Sequence, residues 1–260
     1  MITSATNGRI KYIQTLMEKS KFRRKEKKFV AEGIKMFMEA TADMISEVYV
    51  MESAKDSFEK EVRQKLGLIP YEVVTDSVYK KMTDTVTPQG IMTVLKMKEN
   101  TVEDIISKEN PLLVMLENIQ DPGNLGTILR TAEGAGVAGI IMSRDCVDIY
   151  NPKVIRSTMG SIYRMKFVYV DDLTETMKQV KDKGINIYAC ALDANSKEYD
   201  EYDYTKSTAI LIGNEGNGLK GETVKAAGNV CYIPMSGRVE SLNASVACAV
   251  MMYEAKRQRK

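Results

Sequence analysis

No histidine occurs among the 260 residues of the chain. That excludes His-based nucleophile activation, His zinc ligands and imidazole general bases. Chemistry must use Arg, Lys, Glu, Asp, Asn, Ser, Tyr or backbone dipoles, or lean on a reactive cofactor. Tryptophan is absent too and phenylalanine occurs 5 times, whereas methionine occurs 17 times and tyrosine 13. The expected core is aliphatic and Met-filled. The cysteines, Cys146, Cys190, Cys231 and Cys248, form no Cys-x-x-Cys pair. Buried reduced thiols are therefore expected, and a metal site is not. No apolar run approaches the roughly 20 residues needed to span a bilayer, and the N-terminus has no apolar signal core. The expectation is a cytoplasmic protein with no membrane partner.

Charge is nearly balanced, at a net +2, but unevenly placed. Residues 1–30 hold nine Lys or Arg against two Glu. The dense part is Lys19, Lys21, Arg23, Arg24, Lys25, Lys27 and Lys28, and the chain closes on Lys256, Arg257, Arg259 and Lys260. Such clusters attract polyanions by counterion release. A solvated, solubilising surface explains the same charges equally well.

Apolar periodicity divides the chain in two. In the first part, helices are expected at 7–18, 32–40 and 53–66, with a charged connector at 20–28. Strands are expected at 47–51, 69–74 and 91–97. This is a small α/β domain. A polar stretch at 98–110 reads as a linker containing a short helix, so the boundary is set near 105. The first domain is then 1–105 and the second 106–260. In the second, strands at 112–118, 138–142, 166–170, 185–191, 208–212 and 229–233 alternate with helices at 124–135, 151–159, 172–183, about 219–226 and 241–257. The nearly all-apolar 112–118 run marks a buried parallel sheet. Ligands bind such sheets beyond the C-terminal ends of the strands.

Three segments rich in Gly, Asn or Ser fall at those ends. The first runs from Asn118 through Asp121-Pro122-Gly123-Asn124 to Arg130-Thr131. It reads as a tight turn in which Asn124 caps the next helix. Arg130 lies off the apolar stripe and near a helix start, where an arginine calls for an anionic partner. The second is Leu211-Ile212-Gly213-Asn214-Glu215-Gly216-Asn217-Gly218. Its glycine spacing is neither the dinucleotide fingerprint nor a P-loop. The third runs from Ile233-Pro234-Met235 past Arg238 to Ser241-Leu242-Asn243-Ala244-Ser245, where Ser241 or Asn243 can cap the last helix. Taken singly, each also reads as a plain turn, connector or cap.

Together, in this order and at these separations, the three segments resemble the SpoU (TrmH-like) family of knotted RNA ribose 2′-O-methyltransferases. The first matches N-x-x-D-P-x-N-x-G-x-x-x-R-T-A, the second I-G-N/S-E-G-x-G, and the third I-P-M-x-G-x-x-x-S-L-N-x-S. The likeness covers 112–257. The first part, with Phe29-x-x-Glu32-Gly33, resembles the L30e-like RNA-binding domain that often precedes this catalytic domain. The resemblance implies a trefoil-knotted, SPOUT-type, Rossmann-like parallel sheet and a homodimer. It implies S-adenosylmethionine bound near Leu211, Gly213, Asn214, Gly216, Gly218, Ile233, Met235, Ser241 and Leu242. It puts Arg130 at the reaction, with Asn118, Glu215, Asn243 and Ser245 around it. Arg23, Arg24, Lys25, Lys27, Lys28 and Arg238 then become expected RNA contacts, with large-subunit ribosomal RNA preferred over tRNA. No metal is expected. A guanidinium, which keeps its proton in proteins, suits an orienting role better than that of a base. The rival readings are a nucleotide enzyme of the ordinary doubly wound type, a non-catalytic RNA-binding protein, and methylation of a base. The glycine spacing opposes the first, the intact Arg130, Glu215 and Asn243 the second, and the Arg130 and Ser-Leu-Asn pattern the third.

Overall fold

A computed structural model describes residues 1–239 and 241–260. The chain forms two compact units. One holds Met1–Lys98 and Asp148–Tyr163, the other Glu99–Val147 and Arg164–Lys260.

In the first unit, α1 (Gly8–Glu18) starts where the Asn7 side chain accepts from the Arg9 N–H at 2.9 Å. It buries Ile10, Ile13 and Leu16 at a three-residue spacing. α2 (Ser20–Glu26) ends at Lys27, whose φ of 50° turns the chain into β1 (Lys28–Glu32). Then follow α3 (Ile34–Glu39), β2 (Ile45–Met51), α4 (Lys60–Gly67), β3 (Glu72–Val74), α5 (Asp76–Met82) and β4 (Ile91–Lys96). The sheet order is β1-β4-β2-β3, with β4 antiparallel to β1 and β2 and with β3 parallel to β2. Alternation along β2 feeds two cores. Val48 and Val50 join Phe37, Val62 and Leu66 on one side, while Tyr49 joins the α1 stripe on the other.

Two local expectations are corrected here. The residues from Lys28 to Glu32 form a strand that starts at the last residue of the basic run, with Phe29, Val30 and Ala31 buried, and the helix expected at 32 begins at Ile34. The helix expected over 53–66 is a 3-10 turn, Glu52–Ser57, followed by α4.

The 148–163 excursion belongs to this unit as well. Tyr150 packs its ring 4.6 Å from that of Phe29. Asp148 accepts from Arg23 Nη2 at 2.6 Å and Nε at 3.0 Å. Arg23 Nη1 donates to the Leu16 and Met17 carbonyls at 2.7 and 2.8 Å. With 2% of its surface exposed, Arg23 ties α2 to α1 and to the excursion. It cannot be the RNA contact expected of it. The division lies between Lys98 and Glu99 rather than near 105, because Ile105 and Ile106 of the linker helix are packed into the second core.

The second unit runs α6 (Glu103–Ile106), β5 (Leu112–Leu116), α7 (Pro122–Ala135) and β6 (Gly139–Ser143). After α8 (Pro152–Thr158) of the first unit come β7 (Phe167–Val170), α9 (Leu173–Asp182), β8 (Asn186–Cys190), β9 (Lys197–Glu198), β10 (Thr208–Ile212), α10 (Gly221–Ala227), β11 (Gly228–Tyr232) and α11 (Ala244–Gln258). Every strand pair is parallel, in the order β7-β6-β5-β10-β8-β11-β9. β5 and β10 are buried at every residue, as two-sided coverage requires. α6, α9 and α10 cover one face through Ile105, Met177, Val180 and Ala227. α11 packs on α7 and β10. Beyond β5 the order runs outward to β6 and β7, and on the other side to β10, β8 and β11, so the crevice between β5 and β10 is a switch point. Among the described residues no helix is long and apolar enough to cross a membrane.

Arg23→Ala should destabilise the protein by about 3 kcal/mol, because it strands Asp148 and two carbonyls. Arg24→Ala, on the exposed side of α2, should stay within about 0.5 kcal/mol of the unaltered protein. Urea unfolding of both variants checks this. Equal stabilities would show that Arg23 is a surface residue after all.

Candidate active site

The three loops meet beyond the C-terminal ends of β5, β8, β10 and β11. At the end of β5, Asn118 has φ 55°, a left-handed conformation that asparagine tolerates. Its N–H donates to Ser143 Oγ at 2.9 Å, and its carbonyl accepts from Asn214 Nδ2 at 2.8 Å. Its Oδ1 accepts from Gln120 Nε2 at 2.6 Å.

α7 is capped by Asp121, whose carboxylate accepts from the Asn124 N–H at 2.8 Å, and Pro122 fills the first helical position. This corrects the expectation that Asn124 is the cap. The side chain of Asn124 is thereby released for the site. Its Nδ2 donates to Glu215 Oε1 at 2.9 Å, and its Oδ1 accepts from Asn243 Nδ2 at 2.9 Å. Asn243 Oδ1 in turn accepts from the Ser245 N–H and hydroxyl at 2.9 and 2.7 Å and caps α11. Ser245 is buried within that cap.

The 213–218 loop closes on itself. Asn214 and Gly218 exchange two backbone hydrogen bonds of 3.0 Å, and Asn214 Oδ1 accepts from the Gly216 and Asn217 N–H groups. A Cβ on Gly213 would lie 2.3 Å from the Gly218 carbonyl carbon, so only glycine fits there. Glu215 also accepts from the Gln120 and Asp121 N–H groups at 3.3 Å each. Partial burial pushes its carboxyl up, but the Asn124 amide and the backbone N–H groups outweigh this and hold it below the ordinary carboxylate range. It is an ionised anchor for the loops.

A cavity of about 440 Å³ opens beside this network. Of the residues expected at the cofactor, Gly213, Asn214, Gly216, Gly218, Ile233, Met235, Ser241 and Leu242 line it, as does Glu215. Leu211 does not. It is a fully buried residue of β10, packed into the core, and the wall begins one residue later, at Ile212. The sequence reading missed Cys190, Ala191 and Leu192, which form the wall at the end of β8, and Tyr232, Ala244 and Ala247. Only their position at strand ends and at the start of α11 could have signalled them. Burial pushes the Cys190 thiol up to about 11, so it stays protonated.

Asn118, Asn243 and Ser245 brace the loops and are not part of the cavity lining. Arg130 lies outside the lining as well. It is exposed on α7, six residues after Asn124 and roughly 9 Å farther along the axis. Arg238 is exposed on the third loop. Among the expected RNA contacts of the first unit, Arg24, Lys25 and Lys27 are exposed. Lys28 is half-buried, with Nζ 5.9 Å from the centre of the Tyr12 ring. The basic C-terminus is largely committed to the fold. Arg259 donates to the carbonyls of Tyr204, Asn110, Pro111 and Lys206, and Lys256 to that of Gly134.

Residues 111–253 match the SpoU rRNA Methylase family. The chain belongs to that family. Residues 7–93 match the MRM3-like substrate binding domain, so a SpoU unit follows a substrate-binding unit. The chain is 32% identical over 254 residues to the 23S rRNA (guanosine(2553)-2′-O)-methyltransferase RlmP of Bacillus subtilis, covering 97% of each chain. It is 31% identical to the AdoMet-bound rRNA methyltransferase of Sinorhizobium meliloti, covering 98% of this chain and 97% of that one, with a TM-score of 0.85. The SpoU methyltransferase AviRb of Streptomyces viridochromogenes, in complex with AdoMet, is 26% identical, with coverage of 97% and 99% and a TM-score of 0.86. The parallel sheet of the second unit, preceded by a small α/β unit, is the SPOUT-type fold of these relatives.

Asn124→Asp keeps the side chain's size but sets a second carboxylate against Glu215. The variant should lose about 1–3 kcal/mol at neutral pH. Pairing two carboxylates raises a folded-state pKa above its unfolded value, so the deficit should shrink as pH falls through the carboxylate range. Denaturant unfolding at pH 7 and pH 4 tests this. A deficit that grows on acidification would mean that Asn124 does not face an ionised Glu215.

Proposed function

We propose that this SpoU protein transfers a methyl group from S-adenosylmethionine to a ribose 2′-oxygen of large-subunit ribosomal RNA, acting as a homodimer in the cytoplasm. The observation that carries the reading is the hydrogen-bonded line from Glu215 through Asn124 to Asn243, which joins all three loops at the edge of one cavity. The cavity volume falls within the ~300–1,000 Å³ of small-molecule sites. Ile212, Ile233, Met235 and Leu242 offer apolar walls, and the bare backbone of Gly213, Gly216 and Gly218 allows close approach. These residues would hold the cofactor with Asn214 and Ser241, and with Cys190 and Leu192 at the β8 end. When bound, S-adenosylmethionine supplies an electrophilic methyl on a sulfonium, an activated donor that needs mainly orientation from the protein.

Arg130 orients the ribose 2′-hydroxyl and clamps the neighbouring phosphate, for which a planar, permanently charged fork is suited. It does not take the proton, because a guanidinium stays charged. Glu215 is held ionised by its donors and anchors the loops rather than exchanging protons. Arg130 lies outside the cavity lining of its own chain, so a site built by two copies explains its place, with Arg130 of one protomer serving the cavity of its partner. α11, which packs on α7, exposes Val246 and Tyr253, 47% and 51% accessible, which suits an interface. Arg24, Lys25 and Lys27, with Arg238 on the third loop, meet the RNA backbone and position the ribose. Ribosomal RNA is favoured over tRNA because the likeness to RlmP spans both units.

Transfer of a labelled methyl to total RNA, followed by mapping, should find one 2′-O-methylated nucleotide in large-subunit rRNA. Label in tRNA alone, or on a base, overturns the assignment. Arg130→Lys should lower turnover by about 100-fold while S-adenosylmethionine affinity holds within about 3-fold. Unchanged turnover removes Arg130 from the reaction. Joint replacement of Arg24, Lys25 and Lys27 by Ala should flatten the slope of log affinity against log salt by roughly 2. An unaltered slope makes them a solvated surface.

A further inference from the structure

Glu117 immediately precedes Asn118 and has 3% of its surface exposed. A buried carboxylate needs a reason to be there. Its Oε2 accepts from the Lys220 N–H at 2.8 Å, and its Oε1 accepts from the Thr223 hydroxyl at 2.7 Å. Its own N–H donates to the Ile212 carbonyl at 2.9 Å, which extends the β5–β10 pairing to the first residue of the loop region. Lys220 stands at the cap position of α10, where its own side chain makes no capping bond. A carboxylate at the end of β5 therefore holds the first turn of a helix more than a hundred residues downstream, through the N–H of its cap residue and the hydroxyl of its third residue.

This fixes the far end of the segment that walls the cavity. Its near end is tied by Asn214 to the Asn118 carbonyl, and its middle by Glu215 to the 120–124 turn. Residues 213–220 thus span two anchors set by adjacent residues, Glu117 and Asn118. Without the Glu117 anchor, the stretch from Gly218 to Lys220 loses its hold on β5, and with it the position of the Gly213–Gly218 wall. We propose that Glu117 is a positioning residue for cofactor binding, acting through the 213–220 loop and not by touching the ligand. This rests on the reading of the cavity as the S-adenosylmethionine site.

The test measures S-adenosylmethionine affinity by calorimetry on the full chain, with amide hydrogen exchange at Lys220. Glu117→Gln can accept from the Lys220 N–H through its oxygen and donate to Thr223 Oγ1 through its nitrogen. It should bind within about 3-fold of the unaltered protein. Glu117→Asp is one methylene too short to meet both partners. It should weaken affinity about 10-fold or more and speed Lys220 exchange, while turnover at saturating cofactor stays within about 3-fold. Val62→Ala in the core of the first unit serves as a control for general destabilisation and should keep full affinity. The proposal falls if Glu117→Asp binds as tightly as the unaltered protein, or if Val62→Ala loses affinity to the same degree. Failure of the unaltered protein to bind S-adenosylmethionine removes the reading of the cavity instead.

Discussion

Asn124 has two hydrogen-bonding ends, and each holds a different loop. Its amide nitrogen faces a carboxylate, which only accepts, so its oxygen must face Asn243. Asn243 then has to present its nitrogen to Asn124 and its oxygen to the N–H groups that open α11. One ionised group, Glu215, sets the polarity of the whole line. The donors that hold Glu215 ionised are the ones that bind the first loop to the second. Charge, amide orientation and helix cap are therefore coupled, and a wrong residue type at any of the three positions disturbs the other two.

That coupling explains the amide-rich composition of the loops. Carboxylates at 124 or 243 would repel Glu215 or lack a donor, and hydroxyls would be too short to bridge. Glycine is required for a different reason. At 213 any side chain would occupy the backbone of residue 218, so the loop can close over the cavity only without one. Loop closure, in turn, keeps the wall rigid enough to orient a ligand whose reactivity is intrinsic. Preorganisation of this kind is the main contribution a protein makes when the reagent carries its own activation.

Much of this was legible in the sequence because it is local. All-apolar runs announced β5 and β10, and strand–turn–helix spacing put three polar loops at one end of a sheet. What escaped was set by partners far along the chain. The basic run 19–28 reads as uniform surface charge, yet Arg23 within it is buried against Asp148, 125 residues away. β1 begins at the end of the same run, and its Phe29, Val30 and Ala31 are too short an apolar stretch to stand out between Lys28 and Glu32. Asp121 and Asn124 are both good caps by type. Pro122 at the first helical position settles the choice, and that choice is what turns Asn124 from a cap into a bridge. The β8 wall at Cys190–Leu192 carries no unusual residue type, so only the fold reveals it.

The placement of Arg130 follows from the same geometry. α7 begins at the loop junction and must bury Leu125, Ile128, Leu129 and Ala132 against its own sheet and α11. Arg130 stands two turns in and off that stripe, roughly 9 Å along the axis from Asn124. Its guanidinium is exposed and, among the described residues, has no carboxylate partner. An exposed cation on the helix that also carries Asn124 suits a surface that meets a polyanion, in keeping with the proposed role of Arg130 as a clamp on phosphate.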